Sequence, residues 1–208
     1  MNQPGASRQL SFGSGVSRHA QLLDHACGTC VSCEAGWPVS CERPTKGESL
    51  CSVPDELDLG GVIALFGALS AFLSAGVHAD DVVLAIANKS DTALSDLLTL
   101  AHSGTVLCSS DPWELPVKKQ LAASSNFARA DVVVTLLSAR DGVLAVRRGG
   151  TVCVGDVAND MPSVTELAQR EVRMVGPRDL SSVVKQFGRG VVEQVVERSR
   201  QHVAQSLK

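Results

Sequence analysis

From residue 59 onward, short apolar runs alternate with amphipathic stretches. Residues 81–87 (Asp-Val-Val-Leu-Ala-Ile-Ala) form a compact apolar run rich in β-branched side chains, bounded by Asp80 and Asn88. That pattern predicts a strand buried on both faces. In the next stretch, 91–102, Leu94, Leu97, Leu98 and Ala101 recur at helical spacing, which predicts a helix. Further strands are predicted at 105–110, 131–137, 151–155 and 171–175, with a helical stretch at 142–147. Strands and helices alternating at this rhythm indicate parallel βαβ units, hence an α/β fold with a Rossmann-like parallel sheet. The strand order does not follow from the pattern.

Two apolar segments flank this region. Leu59 to Val77 is interrupted by Gly and Ser and reads as a helix packed inside the protein rather than a bilayer span. Val191 to Leu207 reads as a final helix, with Val192, Val195, Val196, Ser199 and Val203 tending to one side. Glu193, Glu197, Arg198 and Arg200 occupy the other. Such a helix either docks on its own sheet or presents its apolar side to a partner.

Composition narrows the functional classes. Aromatic residues make up 3% of the 208 positions, with no Tyr, so the core must be built from Val, Leu and Ala. Few rings argue against base-stacking nucleic-acid modules. A net charge of −3 gives no electrostatic footprint for nucleic acid or an anionic membrane. Residues 1–18 are polar and Gly/Ser-rich without the apolar centre of a secretion signal. They predict a flexible segment and a cytoplasmic protein, a compartment in which clustered cysteines point to metal binding or redox chemistry.

Such a cluster follows directly. Cys27, Cys30, Cys33 and Cys41 are spaced C-x2-C-x2-C-x7-C, with Gly36 and Pro38 inside the long gap. Two-residue gaps let successive thiolates fold onto one centre, and the longer gap lets the chain return with a fourth. Four thiolates at about 2.3 Å close a tetrahedron around zinc, leaving no open position, as in structural rather than catalytic sites. Disulfides and an iron–sulfur cluster remain alternatives, although the C-x3-C-P continuation of ferredoxin runs is absent. Cys51 is a possible substitute ligand, placed in a strand-like run. Cys108 and Cys153 lie in apolar runs and read as small buried hydrophobes.

The run CGTCVSCEAGWPVSC resembles the structural-zinc lobe of the zinc-containing, medium-chain alcohol dehydrogenases. The resemblance continues through Pro54-Asp55-Glu56-Leu57-Asp58-Leu59 and Ala68-Leu69-Ser70-Ala71-Phe72, similar to that family's entry into its nucleotide-binding domain. It implies a flexible segment at 1–18, a zinc lobe at 19–58, a Rossmann-like domain at 59–190 and a C-terminal helix at 191–208. Dinucleotide binding requires a glycine-rich turn after the first strand, where backbone and pyrophosphate meet closely. The three glycine positions here hold Ala87, Lys89 and Thr92, which argues against NAD(P) binding in the usual manner. Asp111, at the end of the second strand, is the candidate partner for a ribose hydroxyl.

The resemblance also implies a second, catalytic zinc, and its ligands are missing. No Cys and no His-Glu pair precede Cys27, and Phe66 stands where the third ligand is expected. His19 and His25 have no orienting carboxylate pattern, and His78 and His102 stand alone. No Ser/His/Asp arrangement or G-x-S-x-G elbow offers hydrolytic chemistry. The expected function is therefore a zinc-binding, dehydrogenase-like protein without hydride transfer. It would serve as a partner or assembly subunit of an oxidoreductase system, or associate with itself. The alternative is an NAD(P)-dependent oxidoreductase with altered cofactor binding.

Overall fold

The computed structural model describes residues 9–12, 19–23, 29–34, 47–52, 59–88, 92–155, 160–177, 181–188 and 190–197. They fall into two compact units, one drawn from both chain ends and the other spanning Gly60–Arg178.

In the first unit, β1 (Gln9–Phe12), β2 (His19–Leu23) and β3 (Gly47–Ser52) form an antiparallel sheet in that order. Regular structure thus occurs inside the N-terminal segment expected to be flexible. The register shifts between Ala20 and Gln21. One turn of helix, α1 (Val31–Glu34), lies between β2 and β3. Residues 190–197 are helical, and their Val191, Val192, Val195 and Val196 are buried. Those four valines are therefore covered; Ser199 and Val203 of the predicted apolar side lie outside the described residues.

The second unit opens with α2 (Leu59–Ser74), in which Phe66, Ala68, Leu69 and Ala71 are fully buried. This is the interior helix the sequence predicts. No helix among the described residues is long and apolar enough to cross a membrane. The strands β4 (Val83–Ile86), β5 (Val106–Ser109), β6 (Ala130–Thr135), β7 (Val146–Val154) and β8 (Arg173–Val175) pair in the order β5-β4-β6-β7-β8. Every pairing is parallel. A parallel sheet is covered on both faces, and all four residues of β4 are accordingly buried.

The helices between these strands are α3 (Thr92–Ala101), α4 (Leu115–Ser124), α5 (Ala139–Ala145) and α6 (Val164–Arg170). One sheet face carries Leu84 and Ile86 of β4, Val133 of β6, and Val152 and Val154 of β7. These pack with Val117 and Leu121 of α4 and with Val143 of α5. Neither α4 nor α6 is apparent from periodicity. The former places only two buried side chains among lysines and other polar residues, and the latter buries none. A Ser163/Glu166 capping box starts α6, and that four-residue signature was the sequence signal available for it. A further helix, α7 (Ser181–Phe187), belongs to the first unit and lies beside β1.

One boundary differs from the sequence pattern. The helix predicted at 142–147 is α5, which ends at Ala145, and Val146 already pairs with Ala130 as a strand. Val146 is fully buried, so its side chain favours the extended pairing over another helical turn. The ladder then skips to Thr151 opposite Val132. Gly149, at φ +72°, lets the intervening residues bulge.

Small residues set the spacing between helix and sheet. At Gly155, just past β7, an added Cβ would lie 2.7 Å from the Ala64 carbonyl oxygen of α2 and 3.0 Å from Leu136 Cδ2. Gly176 has nothing within 4 Å of the same atom. Gly155→Ala should therefore cost about 1–3 kcal/mol of stability through overpacking, with Gly176→Ala within about 0.5 kcal/mol of the parent. Urea unfolding midpoints of the two variants test the difference.

Candidate functional site

In an open α/β sheet, ligands bind beyond the carboxyl ends of the strands, where the strand order reverses. Counted within its own sheet, the order here is 2-1-3-4-5, and the reversal lies between β4 and β6. The chain leaves β4 through Ala87 and Asn88, β5 through Ser110 and Asp111, and β6 through Leu136, Leu137 and Ser138.

The backbone at this point is bonded to itself. The Ala87 amide donates to the Ser109 carbonyl at 3.1 Å, Leu136 to Ile86 at 3.0 Å, and Gly155 to Thr135 at 3.1 Å. These bonds carry the sheet ladders beyond the ends of the strands. Thr135 is fully buried. Its hydroxyl donates to the Ser138 carbonyl at 3.1 Å and accepts from the Leu137 and Ser138 amides, each at 3.2 Å. Ser138 in turn caps α5, its Oγ accepting from the Asp141 amide at 3.0 Å.

A pyrophosphate cradle needs free amides and room for close approach after the first strand. Ala87, at the first glycine position, is buried and its amide is committed to the ladder. Lys89 lies outside the described residues, and Thr92 is the first residue of α3. The described part of the turn does not fit the usual cradle. Asp111 sits beyond β5, exposed, where a ribose-binding acid is expected. Its Oδ1 accepts from the Trp113 amide at 2.8 Å, and its own amide donates to Ser109 Oγ at 3.1 Å. The carboxylate thus also serves a local turn. Between β5 and β6 the chain holds only α4, so β5 is an edge. The six-stranded dinucleotide order 3-2-1-4-5-6 has a further strand at that place.

Of the four zinc candidates, Cys27 and Cys41 lie outside the described residues, as does His25. Cys30 is buried at the start of α1, its carbonyl accepting from the Glu34 amide at 3.0 Å. Cys33 stands within the helix, about one turn further on. No group of three His, Cys, Asp or Glu gathers among the described residues. Cys51 lies in β3 opposite Ala20, and His19 in β2 opposite Ser52. Phe66, at the position of the third catalytic ligand, is fully buried.

His78 and His102 both lie beside Asp81. His102 is buried, with Nε2 2.7 Å from the Asp81 carbonyl oxygen and its ring edge-on to Phe72. The His78 amide donates to Asp81 Oδ2 at 2.8 Å. Cys153 is buried as expected, and burial pushes its thiol up to about 12, with Arg173 opposing. Cys108 departs from expectation: it is exposed, because β5 is the sheet edge.

No family model matches the sequence, and no curated protein matches it. Solved structures match its fold. The alcohol dehydrogenase TADH from Thermus sp. ATN1 superposes with a TM-score of 0.53 at 13% identity, over 96% of this chain and 88% of that one. Zinc-dependent alcohol dehydrogenase 2 from Streptococcus pneumonia, in its apo form, gives 0.53 at 16% identity, over 88% of this chain and 67% of that one. Acetophenone reductase from Geotrichum candidum, in complex with NAD, gives 0.50 at 13% identity, over 88% and 65%. The chain spans about two-thirds of the length of the last two. The fold is thus similar to that of alcohol dehydrogenases, a zinc-dependent one among them.

The two strand cysteines should differ in reactivity. With its thiol raised to about 12, Cys153 is thiolate in roughly one molecule in ten thousand at pH 8, and it is buried as well. Cys108 should react with a thiol-directed alkylating reagent in the native protein, and Cys153 only on unfolding. Peptide mapping after timed labelling reads both.

Proposed function

We propose that this chain is a non-catalytic relative of the zinc-type alcohol dehydrogenases. It would hold a structural zinc with Cys27, Cys30, Cys33 and Cys41 and serve as a partner or assembly subunit of an oxidoreductase system. The observation that carries the reading is the commitment of Ala87 at the end of β4. Ala87 fills a glycine position, and its amide is spent on the Ser109 carbonyl rather than offered to a phosphate. The buried Phe66 supports it independently, since a phenyl ring supplies no metal ligand. Zinc, when bound by the four thiolates, would cross-link the lobe and supply no open coordination position. Cys30 and Cys33, one helical turn apart, would contribute half of that set.

A second reading rests on Asp111. An exposed carboxylate beyond the second strand suits a ribose hydroxyl, and one structural neighbour was solved with NAD. On this reading the chain is an NAD(P)-dependent oxidoreductase whose phosphates are held in some other way. Titration with NADH and NADPH, followed by cofactor fluorescence, separates the two. The non-catalytic reading expects no saturable change up to millimolar cofactor. Saturable binding that Asp111→Ala weakens would establish the alternative instead.

Metal analysis tests the zinc site directly. The purified protein should carry one zinc per chain, and Cys30→Ser should lose it and become open to proteolysis between residues 27 and 41. Removing a structural zinc typically removes much of the folding free energy of such a lobe. A metal-free native protein with an intact lobe would defeat the assignment.

A further inference from the structure

Rings are scarce in this chain, with five Phe and two Trp in 208 residues. Two of those seven stand at the surface around one cavity. Trp113 is 40% exposed and Phe127 64% exposed, and both line a concavity of about 350 Å³ alongside α4. Pro112, Lys118, Leu121 and Arg129 complete most of its wall. Pro112 and Trp113 directly follow Asp111, whereas Phe127 and Arg129 belong to the connection that leads into β6.

Each exposed ring carries a cation. Lys118 Nζ lies 5.7 Å from the centre of the Trp113 ring, and Arg147 Cζ lies 5.7 Å from that of Phe127. The charged side chains lining the cavity are Lys118 and Arg129, and no carboxylate lines it. Arg147 is neutralised by Asp131, with Nε 2.5 Å from Oδ1. Arg129, by contrast, donates Nη1 to a neutral acceptor, the carbonyl oxygen of Leu144. Arg170 shares that oxygen at 3.4 Å and reaches the Val146 carbonyl at 3.0 Å. The Nε–H of Arg170 is buried with no acceptor. Two guanidinium groups therefore converge on one neutral oxygen, which leaves local positive charge in a chain whose net charge is −3.

Small-molecule sites are concave and mostly apolar, with a few polar groups fixing orientation, and their volumes begin at about 300 Å³. From these observations we infer that the cavity beside α4 binds a small aromatic anion, one or two rings bearing a carboxylate or sulfonate. Trp113 and Phe127 supply ring contacts, while Lys118 and Arg129 receive the charge. The inference does not rest on the proposed loss of catalysis, and either reading of the switch point leaves it standing.

The test uses the full chain with anilinonaphthalene sulfonate as probe. In a Trp37→Phe background Trp113 is the one tryptophan left. Binding should saturate at one site and quench Trp113 emission by energy transfer. Lys118→Glu should weaken the probe by about tenfold or more, a factor worth about 1.4 kcal/mol, with the unfolding temperature unchanged because Lys118 is exposed. Phenylnaphthylamine, which has the same rings without the charge, should bind about tenfold more weakly. A second variant, Trp113→Leu in the otherwise native chain, should also weaken the sulfonate. The inference fails if saturation leaves Trp113 emission unchanged, if Lys118→Glu binds as tightly as the parent, or if the neutral analogue matches the anion.

Discussion

The parallel pairing of β4 with β6 is the constraint on which the sheet unit depends. These strands lie at the centre of the β5-β4-β6-β7-β8 order, and β4 is buried along its whole length. A buried peptide group left without a partner costs on the order of 1–3 kcal/mol, so the ladder between them must close at both ends. At the amino end Asp131 does this twice. Its amide donates to the Val82 carbonyl at 2.9 Å, and its Oδ2 accepts from the Val82 amide at 2.8 Å. Arg147 then fixes the carboxylate from the β7 side. At the carboxyl end, Leu136 bonds to Ile86, and Thr135 folds the following turn onto Ser138.

That closure has a functional consequence. The carboxyl ends of β4 and β6 are where a doubly wound sheet ordinarily presents backbone donors to a ligand. A glycine after β4 would let the chain turn away and leave amides pointing outward. Ala87 instead continues along β5 and donates to Ser109. The hydrogen bond that extends the sheet therefore takes up the Ala87 amide, one of the donors at the place where a dinucleotide fold presents them. At Ala87 the central ladder and the switch point compete for one amide, and there the ladder holds it.

The elements legible in the sequence are those whose identity is set by burial on both sides. The runs at 81–87 and 131–137 could scarcely be anything other than central strands, and β4 and β6 fall within them or begin one residue earlier. The C-terminal valines were equally readable, since three of them recur on one side of the helix at 190–197 and all three are buried. Elements whose sequence is mostly solvent-facing were not legible. α4 buries only Val117 and Leu121 among its ten residues, too few to raise a helical period above its lysines. The α5–β7 boundary was misread because no periodicity marks it: Val146 belongs to the strand through its pairing with Ala130, a contact that sequence spacing does not reveal. Cysteine spacing is the whole basis for the proposed zinc ligands, of which Cys30 and Cys33 fall among the described residues, and the absence of glycine at 87, 89 and 92 is visible by inspection. The engagement of Asp111 with the Trp113 amide was not, because it depends on how one turn folds after an edge strand.

Scarcity of rings connects the core with the surface. A core of Val, Ala and Gly draws helix and sheet close together, as at Gly142, where an added Cβ would lie 2.9 Å from Val152 Cγ1. Such a core leaves little room for an aromatic side chain, and Phe66 and Phe72 take buried places within α2. A single exposed ring needs no explanation, whereas exposed rings gathered at one place mark a candidate interaction site. Here Trp113 and Phe127 come from opposite ends of α4 and meet at one cavity, each beneath a cation. Their positions flank the short connection that takes the place of a sixth strand. The route that shortens the sheet at β5 also brings these two rings together, and the surface chemistry beside α4 follows from the topology rather than from the core.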